Sequence, residues 1–290
     1  MPFPEFDPVL IQLGPLAIRW YALAYVAGIL LGWRYALILA RNEAIWAPRS
    51  PAADSRQIDD LVLWITLGVI LGGRAGYVLF YGSMQDPPLW TDPLAILRVW
   101  EGGMSFHGGA LGVILAIVVF ARANRLNLLS LGDLIAPVVP IGLFFGRVAN
   151  FINGELWGRV TDVPWAVNFC NARMQSLHGP LCDLYGGPGP FARHPSQLYE
   201  AALEGVALFI LLRLATHRFG LLAKPGYVSG LFLLGYGLVR ALLETVREPD
   251  AFMPELFGGM TMGMLLSIPM ILFGGWLIWR AWSRPAKATD

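Results

Sequence analysis

Hydrophobic residues along this chain occur in long runs that are separated by short polar segments. Seven runs come close to the roughly 20 residues that a helix needs to cross a hydrocarbon core of about 30 Å, and they lie at residues 16–40, 61–81, 106–121, 133–152, 197–216, 227–246 and 261–282. Barrel strands would instead alternate apolar and polar residues in segments of roughly 10 residues. The pattern therefore predicts an all-α polytopic membrane protein with seven transmembrane helices.

The overall composition supports this class. Hydrophobic residues make up 56% of the chain and charged residues only 14%, whereas a soluble domain carries about 25% charged residues. A soluble enzyme is therefore nearly excluded. The net charge of +1 also excludes a strongly basic nucleic-acid binder, so we expect membrane lipids and no nucleic acid as partners.

The positive charges between the hydrophobic runs predict an orientation. Eleven Lys and Arg residues lie in the first, third and fifth loops and the C-terminal tail, against five in the N-terminal arm and the other loops. Positively charged loops stay in the cytoplasm. We therefore expect the N-terminus outside and the C-terminus inside, as an odd number of spans also requires.

One polar insertion stands apart from the seven runs. Residues 153–195 are rich in turn-forming residues, such as the Gly-Gly-Pro-Gly-Pro stretch at 186–190, and predict a small external head between helices 4 and 5. The head and the spans form one domain over residues 1–290. Cys170 and Cys182 form a bridge if this loop lies in an oxidising compartment, or stay free. A shorter stretch, 92–100, is amphipathic and is expected to lie on the bilayer surface.

Ionisable groups inside the hydrophobic runs are the candidates for function, because a charge at the bilayer centre costs about 2.5–3.5 kcal/mol. The predicted orientation places all of these groups in the outer half of the membrane. Several are arginines, whose guanidinium forks recognise oxyanions such as phosphate. No Cys or carboxylate spacing indicates a metal site. The residues concerned are Arg19, Tyr21, Arg74, His107, Arg147, Asn150, Asn153, Glu155, Glu200, Glu204, Arg240 and Glu244.

Structural interpretations compete with a functional one at several of these positions. Arg240 and Glu244 are spaced i,i+4 and could form a simple ion pair on one helix face. Arg74 lies in a glycine-rich segment and could anchor helix packing as readily as it could bind a ligand. Tyr21 could belong to the interfacial aromatic belt. His107, beside two glycines near the outer face, suits a proton acceptor better than a packed core residue.

At these same residues the sequence resembles a known family, the prolipoprotein diacylglyceryl transferases of bacterial membranes. The most specific match is Gly-Arg-Val-Ala-Asn-Phe-Ile-Asn-Gly-Glu-Leu-Trp-Gly-Arg at 146–159. Shorter matches run from the first predicted helix toward the last, at 19–21, 72–77, 102–109, 194–200 and 235–240. Ala22 stands where the family usually has glycine, and the head matches poorly over 162–189.

The resemblance implies a seven-span enzyme of the bacterial inner membrane that acts in lipoprotein biosynthesis, with its active site toward the periplasm. Such an enzyme moves the diacylglyceryl group of phosphatidylglycerol onto the lipobox cysteine thiol in the signal peptide of a prolipoprotein, which forms a thioether and releases glycerol phosphate. We expect no cofactor. The residues at the matching motif positions are Tyr21, His107, Arg147, Asn150, Asn153, Glu155, Gly158, Arg240 and Glu244.

These inferences combine into one hypothesis for the site. Arg147 and Arg240 bind the lipid phosphate, and His107 is the candidate base for the thiol. Glu155 and Glu244 hold the arginines or the glycerol hydroxyls of the lipid. The remaining residues expected to bind phosphatidylglycerol are Tyr21, Arg74, Asn150, Asn153 and Gly158.

Two other functions also fit the chain. One is a lipid flippase or anion transporter with an outer-leaflet phosphate site, and the other is a different phospholipid-using transferase. Transport is disfavoured because the inner halves of the spans carry almost no charge apart from Arg34.

Overall fold

The computed structural model describes residues 1–4, 6–7, 9–14, 16–82, 89–99, 102–169, 192–248 and 259–283. Its regular structure is mostly helical. The helices are α1 (Trp20–Arg41), α2 (Ser55–Tyr81), α3 (Pro93–Leu97), α4 (Phe106–Ala123), α5 (Leu128–Ile135), α6 (Val139–Asn153), α7 (Ser196–Glu200), α8 (Leu208–Arg213), α9 (Tyr227–Leu243) and α10 (Met262–Trp282).

The first predicted span begins four residues too early. Its opening residues form strand β2 (Leu16–Arg19), which pairs antiparallel with β1 (Val9–Leu13). Gly14 supplies the turn at a φ of +58°, a conformation that glycine adopts without strain. The hairpin provides hydrogen-bond partners for backbone groups that the hydrophobic run predicted to be helical. Helix α1 follows directly after β2.

The fourth predicted span is not one helix. The structure has a turn over residues 136–138, which separates α5 from α6. Asp133 in α5 is fully buried, and its carboxyl group accepts hydrogen bonds from the backbone N–H groups of Gly226 (2.6 Å) and Ser229 (2.7 Å). These groups belong to the start of α9, whose first N–H groups have no partner within their own helix. The short α5 therefore caps α9.

The fifth predicted span contains two widened turns. Helix α7 continues into a π-helical segment at Ala201–Ala207, then into α8, and then into a second π-helical segment at Leu214–Arg218. Single π-helical turns inside helices are frequent at functional sites. Here Glu200 directly precedes the first π-helical segment and Glu204 lies within it.

Close backbone contacts join α2 to α4. A Cβ atom on Gly72 would lie 2.4 Å from the carbonyl oxygen of Gly108, and one on Gly112 would lie 2.1 Å from that of Gly68. Only glycine allows this approach, which is typical of helix pairs in membranes. The Ser105 side chain caps α4 by accepting a hydrogen bond from Gly108 N at 3.2 Å.

Five helical stretches are long and apolar enough to cross a membrane by length and composition: Trp20–Arg41, Ser55–Tyr81, Phe106–Ala123, Leu128–Asn153 and Met262–Trp282. The 17-residue helix Tyr227–Leu243 is also apolar. These helices expose large apolar side chains, such as Leu79 at 74% and Leu272 at 67%, as a lipid-facing surface requires. The polytopic membrane class follows from these features, whereas the count of seven spans stays a prediction.

The largest buried apolar cluster lies at one end of the helical bundle. It includes Leu39 near the end of α1, Phe120 near the end of α4, and Trp46, Leu131 and Leu212. The ionisable residues singled out from the sequence lie near the start of α1 and near the ends of α6 and α9. The two groups therefore occupy opposite ends of the bundle.

The described part of the predicted head packs on the N-terminal arm. Phe3, Trp157, Val167 and Phe169 form a second buried apolar cluster, with Phe151 of α6 against it. The residues of the head at 170–191 lie outside the described structure, so the prediction about Cys170 and Cys182 is untested.

Candidate active site

Six buried or half-buried ionisable residues meet where α6, α7 and α9 come together, and we call them the Arg–Glu cluster. Five of them are among the intramembrane groups predicted from the sequence, and the sixth, Arg247, follows α9. The cluster consists of Arg147, Glu200, Glu204, Arg240, Glu244 and Arg247.

Arg147 is bound by two carboxylates of the fifth helical run. Its Nε and Nη2 lie 3.2 and 3.1 Å from Glu204 Oε2, and its Nη1 lies 3.1 Å from Glu200 Oε2. Of the five N–H groups of its guanidinium, one on Nε and one on Nη2 donate hydrogen bonds to Glu204, whereas Nη1 makes an ion pair with Glu200. The side chain of Arg147 is 16% exposed, whereas those of both glutamates are 0% exposed. The carboxylates therefore lie behind the arginine and leave its free edge accessible.

Arg240 forms the predicted i,i+4 ion pair with Glu244. That pair does not account for the whole guanidinium, because Nη1 lies 3.5 Å from Glu200 Oε1 and is buried without a hydrogen bond to any described residue. A buried donor that lacks a partner is costly unless a ligand completes it. The simple ion-pair interpretation is thus only part of the explanation for Arg240.

Glu155 binds asparagines instead of arginines. Helix α6 ends at Gly154 in the left-handed conformation, and the chain turns so that Glu155 Oε1 accepts hydrogen bonds from Asn150 Nδ2 (2.8 Å) and Asn153 Nδ2 (3.4 Å). Tyr21 interacts with the Asn150 side chain from α1. The structure therefore brings Tyr21, Asn150, Asn153 and Glu155 together. Of the two roles predicted for Glu155, contact with an arginine is absent among the described residues, and contact with the glycerol hydroxyls of the lipid stays a prediction.

Gly158 joins the end of the signature stretch to the segment that follows α9. Its N–H donates to His194 O at 2.9 Å, its carbonyl accepts from Arg193 Nη1 at 3.1 Å, and it pairs with Arg247 in a β-bridge. A Cβ atom here would lie 2.5 Å from the carbonyl oxygen of Val246. Glycine is required for this close approach, which holds the backbone of Arg247 in place.

Arg74 does not reach the Arg–Glu cluster. Its Nε donates to Ile96 O (2.8 Å), its Nη1 donates to Gly102 O (2.8 Å) and Gly103 O (2.9 Å), and its Nη2 donates to Ala95 O. Four of the five N–H groups are thus used by backbone carbonyls. This geometry favours an anchor for the segment between α2 and α4, and we leave Arg74 out of the proposed lipid site.

His107 also lies apart from the cluster. It is exposed in the first turn of α4, where its ring contacts Phe106 with 5.6 Å between centroids. Helix α4 packs mainly on α2, so this imidazole is accessible but is not held against either site arginine. Its role as a base stays a prediction.

Two residues at this site were not singled out from the sequence. Arg247 was counted as a loop charge, although it is only 8% exposed and its Nη1 lies 2.9 Å from Glu200 Oε1. Tyr236, on α9, lies close enough to four charged groups of the cluster to interact with them, namely Arg147, Arg240, Glu200 and Glu204. In the sequence, Tyr236, Arg240, Glu244 and Arg247 are spaced by three or four residues, as side chains on one face of a helix would be. This spacing could have indicated both Tyr236 and Arg247.

Metal binding finds no support in this region. Among the residues that the structure describes, no group of three or more His, Cys, Asp or Glu could hold a metal ion. Burial lowers the pKa of His194, and its Nδ1 lies 3.2 Å from the Tyr199 hydroxyl. His178 lies outside the described residues.

The cluster combines three guanidinium groups with three carboxylates, and the charges are paired as buried charges must be. The side chains of Arg147 and Arg240 are partly exposed, whereas the carboxylates of Glu200 and Glu204 are inaccessible. Such an arrangement can bind an oxyanion and stabilise negative charge that develops on it.

Comparisons with known proteins agree with this chemistry. A family model described as prolipoprotein diacylglyceryl transferase matches residues 8–280. Proteins named phosphatidylglycerol–prolipoprotein diacylglyceryl transferase are similar over almost the whole chain. The one from Phenylobacterium zucineum is 62% identical over 280 residues, which cover 97% of this chain and 94% of the relative. The relative from Caulobacter vibrioides is 58% identical over 297 residues (99% and 97% covered), and that from Sinorhizobium medicae is 53% identical over 291 residues (99% and 96%). The chain belongs to the prolipoprotein diacylglyceryl transferase family.

Proposed function

We propose that the protein is a transferase that moves the diacylglyceryl group of phosphatidylglycerol onto the lipobox cysteine of a prolipoprotein. One structural observation carries the proposal: Arg147 and Arg240, from two different helices, lie within 3.1 and 3.5 Å of the same Glu200 carboxylate. Two guanidinium groups are thereby brought to one place, as a single phosphate requires. The names of the relatives supply the two substrates.

The phosphate of phosphatidylglycerol binds between these two arginines. Arg147 offers the N–H groups that do not bond Glu204, and the guanidinium of Arg240 lies beside the same Glu200 carboxylate. Both side chains are partly exposed, at 16% and 18%. Charge-assisted hydrogen bonds from arginine to phosphate are among the strongest polar contacts in proteins.

The reaction is a displacement at carbon. The cysteine sulfur, as a thiolate, attacks the glyceryl carbon that carries the phosphate, a C–S bond forms, and the C–O bond to the phosphate breaks. The electron pair of that bond leaves with glycerol phosphate, and the proton of the thiol passes to a base. The arginines stabilise the charge that grows on the leaving phosphate.

A base is needed because a free thiol has a pKa of about 8.5 and is mostly protonated at neutral pH. We assign this role to His107, whose exposed position in the first turn of α4 leaves the imidazole open to an incoming peptide. Tyr21, Asn150, Asn153 and Glu155 form a group at the end of α6. Its two asparagines follow Arg147 by three and six residues on the same helix. This group is suited to the glycerol hydroxyls of the lipid headgroup.

We further infer that the chain crosses the bacterial inner membrane seven times, with its active site toward the periplasm. The five long apolar helices, the shorter apolar α9 and the helical run at 196–218 support this count. The excess of positive charge in the first, third and fifth loops supports the orientation. The described residues of the predicted periplasmic head, 153–169 and 192–195, then lie on the same side as the Arg–Glu cluster.

The apolar cluster at the opposite end of the bundle argues against transport. Leu39, Trp46, Leu131 and Leu212 are fully buried there at 0% exposure. A lipid flippase or anion transporter needs a polar path through this end, whereas these four side chains belong to a buried apolar cluster. A different phospholipid-using transferase remains the second candidate, since the cluster would bind the phosphate of any phospholipid.

The decisive experiment is incubation of purified protein with phosphatidylglycerol vesicles and a peptide that carries a lipobox cysteine. We expect the peptide to gain the mass of one diacylglyceryl group on its cysteine. Vesicles of phosphatidylethanolamine and a Cys→Ser peptide are the controls. Modification with phosphatidylethanolamine alone would indicate another transferase. Movement of labelled lipid across the vesicle without any covalent product would indicate transport, and either result would refute the proposal.

A further inference from the structure

Glu200 is the only residue of the Arg–Glu cluster that, among the described contacts, is shared by all three arginines. Its Oε1 lies 2.9 Å from Arg247 Nη1 and 3.5 Å from Arg240 Nη1, and its Oε2 lies 3.1 Å from Arg147 Nη1. The carboxylate is 0% exposed, so it does not contact the lipid itself.

The other two glutamates contact one arginine each. Glu204 pairs with Arg147, and Glu244 pairs with Arg240. These pairs can neutralise their arginines without Glu200. They cannot fix the separation of the Arg147 and Arg240 guanidinium groups, because Glu204 and Glu244 each contact only one of the two.

Arg247 fixes the position of Glu200. The backbone of Arg247 accepts a hydrogen bond from Arg159 Nε at 3.0 Å and pairs with Gly158 in a β-bridge. Its side chain makes the shortest of the three contacts with Glu200. The signature segment is therefore connected to Glu200 through Arg247, and Glu200 in turn contacts both site arginines.

We propose that Glu200 is a positioning residue that sets the spacing and orientation of Arg147 and Arg240, so that both bind the same phosphate in the transition state. This inference rests on the proposed function. An arginine pair set at the right distance before the reaction stabilises developing charge without reorganisation during it. An arginine pair whose spacing is not fixed still binds the anionic lipid, but it stabilises the charge on the leaving phosphate less.

The test is Glu200→Gln, assayed for kcat and for the KM of phosphatidylglycerol. The variant leaves three arginines and two glutamates in the cluster, so its net charge rises from zero to +1. We expect the KM to stay at the wild-type value or fall, because attraction for the anionic lipid does not weaken. We expect kcat to fall at least about 10-fold, since an interaction specific to the transition state is lost.

A purely structural role would give a different result. Loss of folded protein lowers the amount of active enzyme, so kcat is normalised to the monodisperse fraction after size-exclusion chromatography. An unchanged kcat, or a raised KM with wild-type kcat, would overturn the inference. If Glu200→Gln does not insert, Glu200→Asp takes its place, because it keeps the charge and shortens the side chain by one methylene. The same fall in kcat without a rise in KM is then expected, and wild-type kcat would overturn the inference.

Glu43→Gln is the matched control, because it removes the same charge from an exposed residue beyond the other end of α1. It should leave both kinetic constants unchanged. The activity of the wild-type protein distinguishes failure of the proposed function from failure of the proposed role of Glu200. An inactive wild-type protein refutes the proposed function, whereas an active wild-type protein with an equally active Glu200→Gln variant refutes only the role of Glu200.

Discussion

Gly263, in the first turn of α10, packs directly against the carboxylate of Glu244. A Cβ atom at Gly263 would lie 2.4 Å from Glu244 Oε1 and 2.5 Å from its Cδ, and real Cβ atoms do not approach other atoms so closely. Glu244 in turn pairs with Arg240. The absence of a side chain on α10 therefore determines where the carboxylate that holds a site arginine can lie.

Gly263→Ala should lower transferase activity although alanine is the better helix former. The new methyl group displaces Glu244, and Arg240 loses the carboxylate that holds its Nη2. A small misplacement of a catalytic group can cost roughly 100-fold in rate, and we expect a loss of roughly 10-fold or more in kcat. The rate of peptide lipidation measures the effect.

Gly275→Ala on the same helix is the matched control, because a Cβ atom at Gly275 has no atom within 4 Å among the described residues. This variant should keep wild-type activity. Equal activity of Gly263→Ala and Gly275→Ala would mean that Glu244 does not position Arg240.

Arg147→Lys should inactivate the enzyme even though it keeps the positive charge. Lysine presents one ammonium group and cannot contact Glu200, Glu204 and a phosphate as a planar fork does. We expect kcat to fall roughly 100-fold or more, with the protein still in the membrane fraction. Arg147→Ala should abolish transfer completely. Arg122→Lys, an exposed arginine in the last turn of α4, is the control, and near-wild-type activity of Arg147→Lys would remove Arg147 from the phosphate site.

The sequence predicted the members of the site better than their connections. The cost of burying charge singled out Arg147, Glu200, Glu204, Arg240 and Glu244, because few other reasons exist for such residues in apolar runs. Which carboxylate faces which arginine depends on how α6, α7 and α9 pack. No local pattern records that packing. Glu155 was predicted to hold the arginines or the glycerol hydroxyls of the lipid, and in the structure its carboxylate accepts a hydrogen bond from Asn150.

Long-range contacts account for the other differences. Arg74 binds carbonyl oxygens of residues 95–103, which lie 21 to 29 positions along the chain. Asp133 caps a helix that begins more than 90 residues later. Backbone carbonyls and N–H groups are present at every position, so sequence alone does not indicate which of them a buried side chain will select. The break between α5 and α6 was missed because hydrophobicity continues across it.

Arg74→Lys should loosen the segment between α2 and α4 without weakening lipid binding. Lysine cannot reproduce four hydrogen bonds to carbonyl oxygens at once, so residues 95–99 and 102–103 lose their anchor. We expect faster hydrogen exchange at the backbone amides of this segment and an unchanged KM for phosphatidylglycerol. A raised KM with wild-type protection of the segment would instead support a direct role of Arg74 in lipid binding.

His107→Gln tests the base through the pH dependence of the reaction. A base accepts a proton only while it is itself unprotonated, so a reaction that depends on one slows in acid and shows an inflection in its pH–rate profile. The variant should be slower above pH 7 and should lose this inflection in the pH–rate profile. His217→Gln, at the far end of the fifth helical run, is the control. Wild-type rates for His107→Gln across the whole pH range would exclude this imidazole as the base.

Asp133→Ala should destabilise the fold rather than the reaction. The change removes the buried carboxyl group that accepts hydrogen bonds from Gly226 N, Ser229 N and Ser229 Oγ, and leaves the first turn of α9 without its cap. Loss of a helix cap together with buried N–H groups that lack partners should cost about 2–4 kcal/mol, measured as a lower thermal unfolding temperature in detergent. The KM for phosphatidylglycerol should not change, because Asp133 and the Arg–Glu cluster contact opposite ends of α9. Asp133→Asn keeps an oxygen that can accept some of these bonds, so its loss of stability should be smaller. Equal stability of Asp133→Ala and the wild type would show that α9 begins without help from α5.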